Sequence, residues 1–151
     1  MTKKIIEKYI FEGFGFPIIL RNIVVDKHNG EEFPDIDYNE LELSMVKALI
    51  ASPQALNGSH LKFLRKFMKT SLRDIADELG VSHAQIKNWE DNVNEQTGML
   101  PEIERRFKNL TLSHLIALEQ KVLSGVLIDQ KIIAVKSYEP FDPDKIKLKY
   151  G

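Results

Sequence analysis

Residues 71–90 read Ser71-Leu72-Arg73-Asp74-Ile75-Ala76-Asp77-Glu78-Leu79-Gly80-Val81-Ser82-His83-Ala84-Gln85-Ile86-Lys87-Asn88-Trp89-Glu90. Leu72, Ile75, Ala76 and Leu79 recur at the spacing of one helical face, and Ser71 stands where an N-cap belongs. Val81, Ile86 and Trp89 form the inward face of a following helix that Ser82 starts. Two helices that cross steeply through a three- or four-residue turn must approach closely at one point. Ala76 is small enough to allow that approach, and Gly80 sits where the turn most easily takes a positive φ. The spacing predicts a helix-turn-helix. Just upstream, Leu61, Leu64 and Met68, with Phe67 beside them, predict another short helix within residues 58–70.

Outward from this segment the chain changes character. Its 151 residues carry 21 Lys and Arg against 22 Asp and Glu, with four His and no Cys. Residues 1–57 hold six basic and nine acidic side chains, whereas Lys62, Arg65, Lys66, Lys69 and Arg73 crowd into twelve residues of the middle segment. Two modules are expected. In the first, Lys8 to Val25 is rich in aromatic and β-branched residues on both sides of Gly13 and Gly15, a hairpin signal. Asn29-Gly30 marks a second turn, leading into a short extended piece through Phe33-Pro34. Asp37 and Glu40 have capping-box-like spacing, Leu41, Met45, Ala48 and Leu49 share a helical face, and Ser52-Pro53 should end that helix. The fold class read from this is mainly α with a small N-terminal α+β module. The divisions are 1–57 (hairpin and helix), 58–125 (helix-turn-helix bundle) and 126–151 (a C-terminal extension). Leu112 to Leu123 should be helical, and Val126–Val135 is a strand or a dimer arm.

Several function classes lack support in the residues. Gly13-x-Gly15 has no third glycine and leads through Pro17 into β-branched residues, so it reads as turn geometry and not as a phosphate loop. The histidines at 28, 60, 83 and 114 are scattered, with no metal-ligand spacing, and no cofactor is implied. No nucleophile–base or paired-carboxylate arrangement can be argued from spacing, so no enzyme is expected. The amino terminus lacks an apolar block with a cleavage site, and Arg21 and Asn22 interrupt the most apolar stretch. A cytoplasmic protein with no membrane partner is the expectation, and the lack of Cys suits a reducing compartment.

Leu64-Arg65, Ser71, Ile75-Ala76, Leu79-Gly80-Val81-Ser82, Ile86 and Trp89-Glu90 together resemble the lambda-repressor-like (Xre) family of DNA-binding domains. The resemblance implies an Arg65–Glu90 ion pair. It also makes Arg65, Ala76, Gly80, Ile86, Trp89 and Glu90 the structural positions of the motif. The family's glutamine at the start of its second helix is Leu72 here, so Lys69 or Arg73 would grip phosphate. Ser82, His83, Ala84, Gln85, Lys87 and Asn88 would face outward from the recognition helix, with side chains suited to base edges. Lys69, Ser71 and Arg73 complete the expected DNA-contacting set. The bland alternative is a solvated helix face. Trp89 reads as core and not as a stacking platform.

Tyr9-x-Phe11-x-Gly13 and Ile19 to Ile23 further resemble the N-terminal module of MqsA/HigA-type antitoxins, without that module's zinc-binding cysteines. This implies a repressor on a palindromic operator, a homodimer reading two half-sites, and the antitoxin of a RelE-like RNase toxin that autoregulates its promoter. Tyr9, Phe11, Phe14 and Phe16 are the expected partner-binding residues, although the same rings could fill the module's core. The alternatives are a stand-alone Xre regulator whose N-terminal module senses another partner, and an interaction scaffold without DNA binding.

Overall fold

The structure is a computed structural model that describes residues 2–129 and 147–148, with side chains for residues 3–121. The elements are β1 (Thr2–Phe11), β2 (Ile18–His28), β3 (Glu31–Pro34), α1 (Tyr38–Ala51), α2 (Gly58–Phe67), α3 (Leu72–Leu79), α4 (His83–Asp91), α5 (Pro101–Asp129) and β4 (Lys147–Leu148). Among the described residues, five helices and a small antiparallel sheet make a mixed α+β fold, because β1 and β2 are longer than the hairpin signal alone suggests.

One compact unit contains residues 1–48 and the strand Lys147–Leu148; the other begins at Leu49. In the first, β1 and β2 pair antiparallel from Thr2↔Lys27 to Phe11↔Ile18, and β3 pairs beyond, from Val25↔Pro34 to His28↔Glu31. Asn29 (φ 51°) and Gly30 (φ 81°) make the two-residue turn between β2 and β3, with the paired positive φ angles that a primed hairpin turn requires. Asn22 is also left-handed (φ 53°), and the ladder skips the Glu7–Asn22 position. Burial in β2 changes there: Ile18, Ile19 and Leu20 are all buried before it, while Ile23 and Val25 are buried alternately after it. Asp37 starts α1 by accepting from the backbone N–H of Asn39 (2.9 Å) and Glu40 (3.3 Å). Leu41, Met45, Ala48 and Leu49 are buried as the spacing predicts, and α1 stops at Ala51, before Ser52-Pro53.

The expected boundary at residue 57 lies earlier in the structure. Residues 52–57 belong with the helices because they are tied to them. Leu56 N–H donates to Glu104 Oε1 (2.6 Å), Thr97 N–H to the Leu56 carbonyl (3.1 Å), and Lys108 Nζ to the Ser52 carbonyl (3.0 Å). The core of this unit includes Leu49, Leu56, Leu61, Phe63, Leu64, Phe67, Ile75, Ala76, Leu79, Ile86, Trp89, Phe107 and Leu115. Pro101 opens α5, where its missing N–H costs nothing. The helix then continues to Asp129, so residues 126–129 are helical and not the start of a strand. The remainder of Val126–Val135 lies outside the described residues.

Candidate nucleic-acid interface

Three short helices meet through caps that the sequence specifies. Ser71 Oγ accepts from Asp74 N–H (3.0 Å) and Ser82 Oγ from Gln85 N–H (3.1 Å), each closing the first turn of its helix. Between them Gly80 takes φ +71°, and Val81 N–H donates back to the Ala76 carbonyl (3.0 Å), the paired-bond helix ending that favours glycine. Ala76 is 2% exposed, beside buried Ile75, Leu79 and Ile86. Trp89 is buried and belongs to the core.

The Arg65–Glu90 pair is present and two-pronged: Nε to Oε2 at 2.6 Å and Nη2 to Oε1 at 3.0 Å, with the side chains 12% and 5% exposed. The remaining guanidinium nitrogen, Nη1, donates to the Thr70 carbonyl (3.0 Å). One arginine therefore joins α2, the α2–α3 turn and the end of α4. That fixes where α4 sits relative to Lys69, Ser71 and Arg73.

A second lock was missed in the sequence. Gly58 N–H donates to the carbonyls of Asn92 (2.9 Å) and Glu95 (3.2 Å), and Ser59 N–H to that of Val93 (3.2 Å). The donor-rich start of α2 thus rests on the acceptor-rich end of α4. A Cβ added to Gly58 would lie 2.5–2.6 Å from the carbonyl oxygens of Trp89, Glu90 and Asn92, so no other residue fits without moving backbone. Asn57 caps the same helix, accepting from His60 N–H (2.9 Å), while His60 Nδ1 accepts from Asn57 N–H (3.3 Å). His60 is 1% exposed, and burial pushes its pKa down to about 4. The spacing Asn57-x-x-His60 was the legible clue, with His in the place usually taken by Glu or Gln.

Of the expected contact residues, Ser82, His83, Ala84, Lys87 and Asn88 form an exposed face of α4, with Gln85 half-buried at its margin. Lys69, Ser71 and Arg73 are exposed at the α2–α3 turn. Lys69 is left-handed (φ 55°) and ends α2 as Gly80 ends α3, with Thr70 N–H returning to the Arg65 carbonyl (3.3 Å). Lys87 differs from a free cation: its Nζ pairs with Asp91 Oδ1 at 3.0 Å.

In the other unit, Phe11 stacks edge-on against Phe14 (5.0 Å between ring centres) and tilts against Tyr38 (5.7 Å). Tyr9, Phe11 and Phe14 are half-buried and Tyr38 is exposed. Phe16 is 3% exposed, so it belongs to the core and is not available to a partner, a correction to the expected partner set. Tyr38 lies too far along the sequence from the hairpin for spacing alone to reveal it.

Among the described residues no helix is long and apolar enough to cross a membrane. Neither family models, curated proteins nor solved structures give a match to this chain.

Proposed function

We propose that this chain is a lambda-repressor-like, sequence-specific DNA-binding repressor, with α4 as the helix that enters the major groove. The observation that carries the reading is the clamp around α4. Arg65–Glu90, Ala76, Gly80 and Gly58 all fix one helix whose outward face is Ser82, His83, Ala84, Lys87 and Asn88. Short, amide-bearing and cationic side chains are those that read base edges, and a helix so held is the rigid element such reading needs. Lys69 supports it independently. A lysine in the left-handed region is disfavoured where glycine would be relaxed, so its side chain gives the position a use: gripping phosphate beside Arg73.

One recognition helix spans few base pairs, so the protein acts as a homodimer on two related half-sites about 10 base pairs apart, or a multiple of that. Footprinting on the DNA upstream of its own gene tests this. Paired protections at that spacing are expected; a strictly monomeric protein giving no protection defeats it.

The residue 1–48 unit serves a protein partner. Six carboxylates and no basic side chain fall within residues 31–42. Lys3 and Lys4 of β1 pair with Asp35 and Glu32, and the remaining four leave a charge suited to a basic partner such as an RNA-cutting toxin. The Phe11–Phe14–Tyr38 cluster supplies an apolar anchor beside the hairpin turn. The antitoxin role is tested by co-expression with a neighbouring short, basic reading frame. Rescue of growth by the intact protein, lost on Phe14→Ser, is expected; failure of the intact protein to rescue returns the stand-alone regulator.

A further inference from the structure

We infer that Asp91 sets the specificity of the DNA-reading face by holding Lys87 away from DNA that lacks the right base pair; the inference rests on the repressor reading above. Asp91 is one helical turn beyond Lys87, and Ala84, Lys87, Asn88 and Asp91 follow one another along a single exposed stripe of α4. The Lys87 Nζ–Asp91 Oδ1 pair is 3.0 Å long, and both side chains are 60% exposed.

Asp91 is poorly placed for helix stability. It occupies the last residue of α4, where the helix end is electronegative and a carboxylate is repelled. The pair also runs with the cation N-terminal to the anion, the weaker order on a helix. An exposed pair of this kind contributes little to folding. What Asp91 changes is the local charge of the face. Lys87 is the only Lys or Arg of α4, and Glu90 is already engaged by Arg65. With Asp91 in place, α4 presents no net positive charge to a phosphate backbone.

On random DNA this carboxylate meets phosphates and acceptor-rich base edges, which it repels, and Lys87 remains tied to it. On a site with a guanine under Lys87 and a neighbouring cytosine amino group under Asp91, both side chains exchange their mutual pair for base contacts. The ion pair therefore opposes the wrong sequence more than the right one, a repulsive element built into recognition.

The test compares full-length protein with its Asp91→Asn variant by fluorescence anisotropy over a salt series. The probes are a random-sequence duplex and a duplex recovered by in vitro selection with the unaltered protein. Asp91→Asn should bind the random duplex several-fold more tightly, with a salt slope steeper by about one ion. It should gain less on the selected duplex, or lose there, so that the ratio between the two falls. Its Tm should stay level or rise, which separates the effect from folding. Equal gains on both duplexes, or none, overturn the inference while leaving the repressor reading intact. If the unaltered protein enriches no sequence at all, the repressor reading fails first, and this inference with it.

Discussion

His60 is a histidine placed where it cannot easily charge. Its pKa of about 4 lies below the ordinary value near 6.5, and burial is the cause. The unfolded chain therefore binds a proton that the folded chain does not between those two values. Stability is full above about pH 6.5 and falls as pH drops toward about 4, by up to about 3 kcal/mol from this residue. Gln keeps the helix-capping geometry and cannot titrate in that range, so His60→Gln should flatten the pH dependence of urea midpoints between pH 4 and 6.5. An unchanged slope would place the acid-sensitive group elsewhere. Glu90→Ala should cost about 3 kcal/mol, because it leaves the Arg65 guanidinium enclosed without its partner; chemical denaturation measures it. Lys69→Gly should have two opposite effects. Relief of the left-handed lysine raises stability by about 0.5–1 kcal/mol, while loss of the ammonium weakens binding to every DNA sequence. A variant that is less stable, or that binds as before, would show that Lys69 holds its conformation for another reason.

At the scale of elements, the packing of α2, α3 and α4 depends on residues that have no room to change. Ala76→Leu should overfill the α3–α4 crossing and cost about 1–3 kcal/mol. Gly58→Ala should cost at least as much, since three carbonyl oxygens occupy the space its methyl needs. Thermal melts of the two variants should both shift down; a Gly58→Ala protein as stable as the parent would mean that the α2–α4 junction is softer than its hydrogen bonds imply. The two positions also show what a sequence discloses. Ala76 was legible because its closeness follows from a local rule, a small residue four before a glycine. The demand on Gly58 comes from Trp89, Glu90 and Asn92, more than thirty residues away, and no local spacing encodes it. The same contrast holds in the sheet. The Asn29-Gly30 turn was read from two residues, whereas the left-handed Asn22 within β2 makes sense only against its missing partner Glu7. Boundaries failed where tertiary bonds crossed them: Glu104 and Lys108 draw residues 52–57 to the helices, and α5 runs on through a segment read as extended.

For the molecule as a whole, one unit concentrates carboxylates in residues 31–42, and the other carries a braced, nearly neutral α4 face with cations at the α2–α3 turn. The near-zero net charge of the chain conceals this division. It suits the proposed repressor, which would hold DNA by a few positioned contacts, without a broad basic surface, and meet a protein partner through its other unit. On the outward face of α4, the exposed residues were legible from the motif. Their mutual pairing, Lys87 with Asp91, was not, because an exposed side chain's partner is a choice among rotamers. Central to the proposed function is the separation of base-reading from phosphate-gripping residues. It is tested by measuring Asn88→Ala and Arg73→Ala against both a selected and a random duplex across a salt series. Asn88→Ala should lose about 1–3 kcal/mol on the selected duplex and almost nothing on the random one. Arg73→Ala should lose equally on both, with the salt slope reduced by about one. Equal losses on both duplexes for both variants, or no preference for any duplex in the unaltered protein, would contradict α4 as the helix that reads DNA.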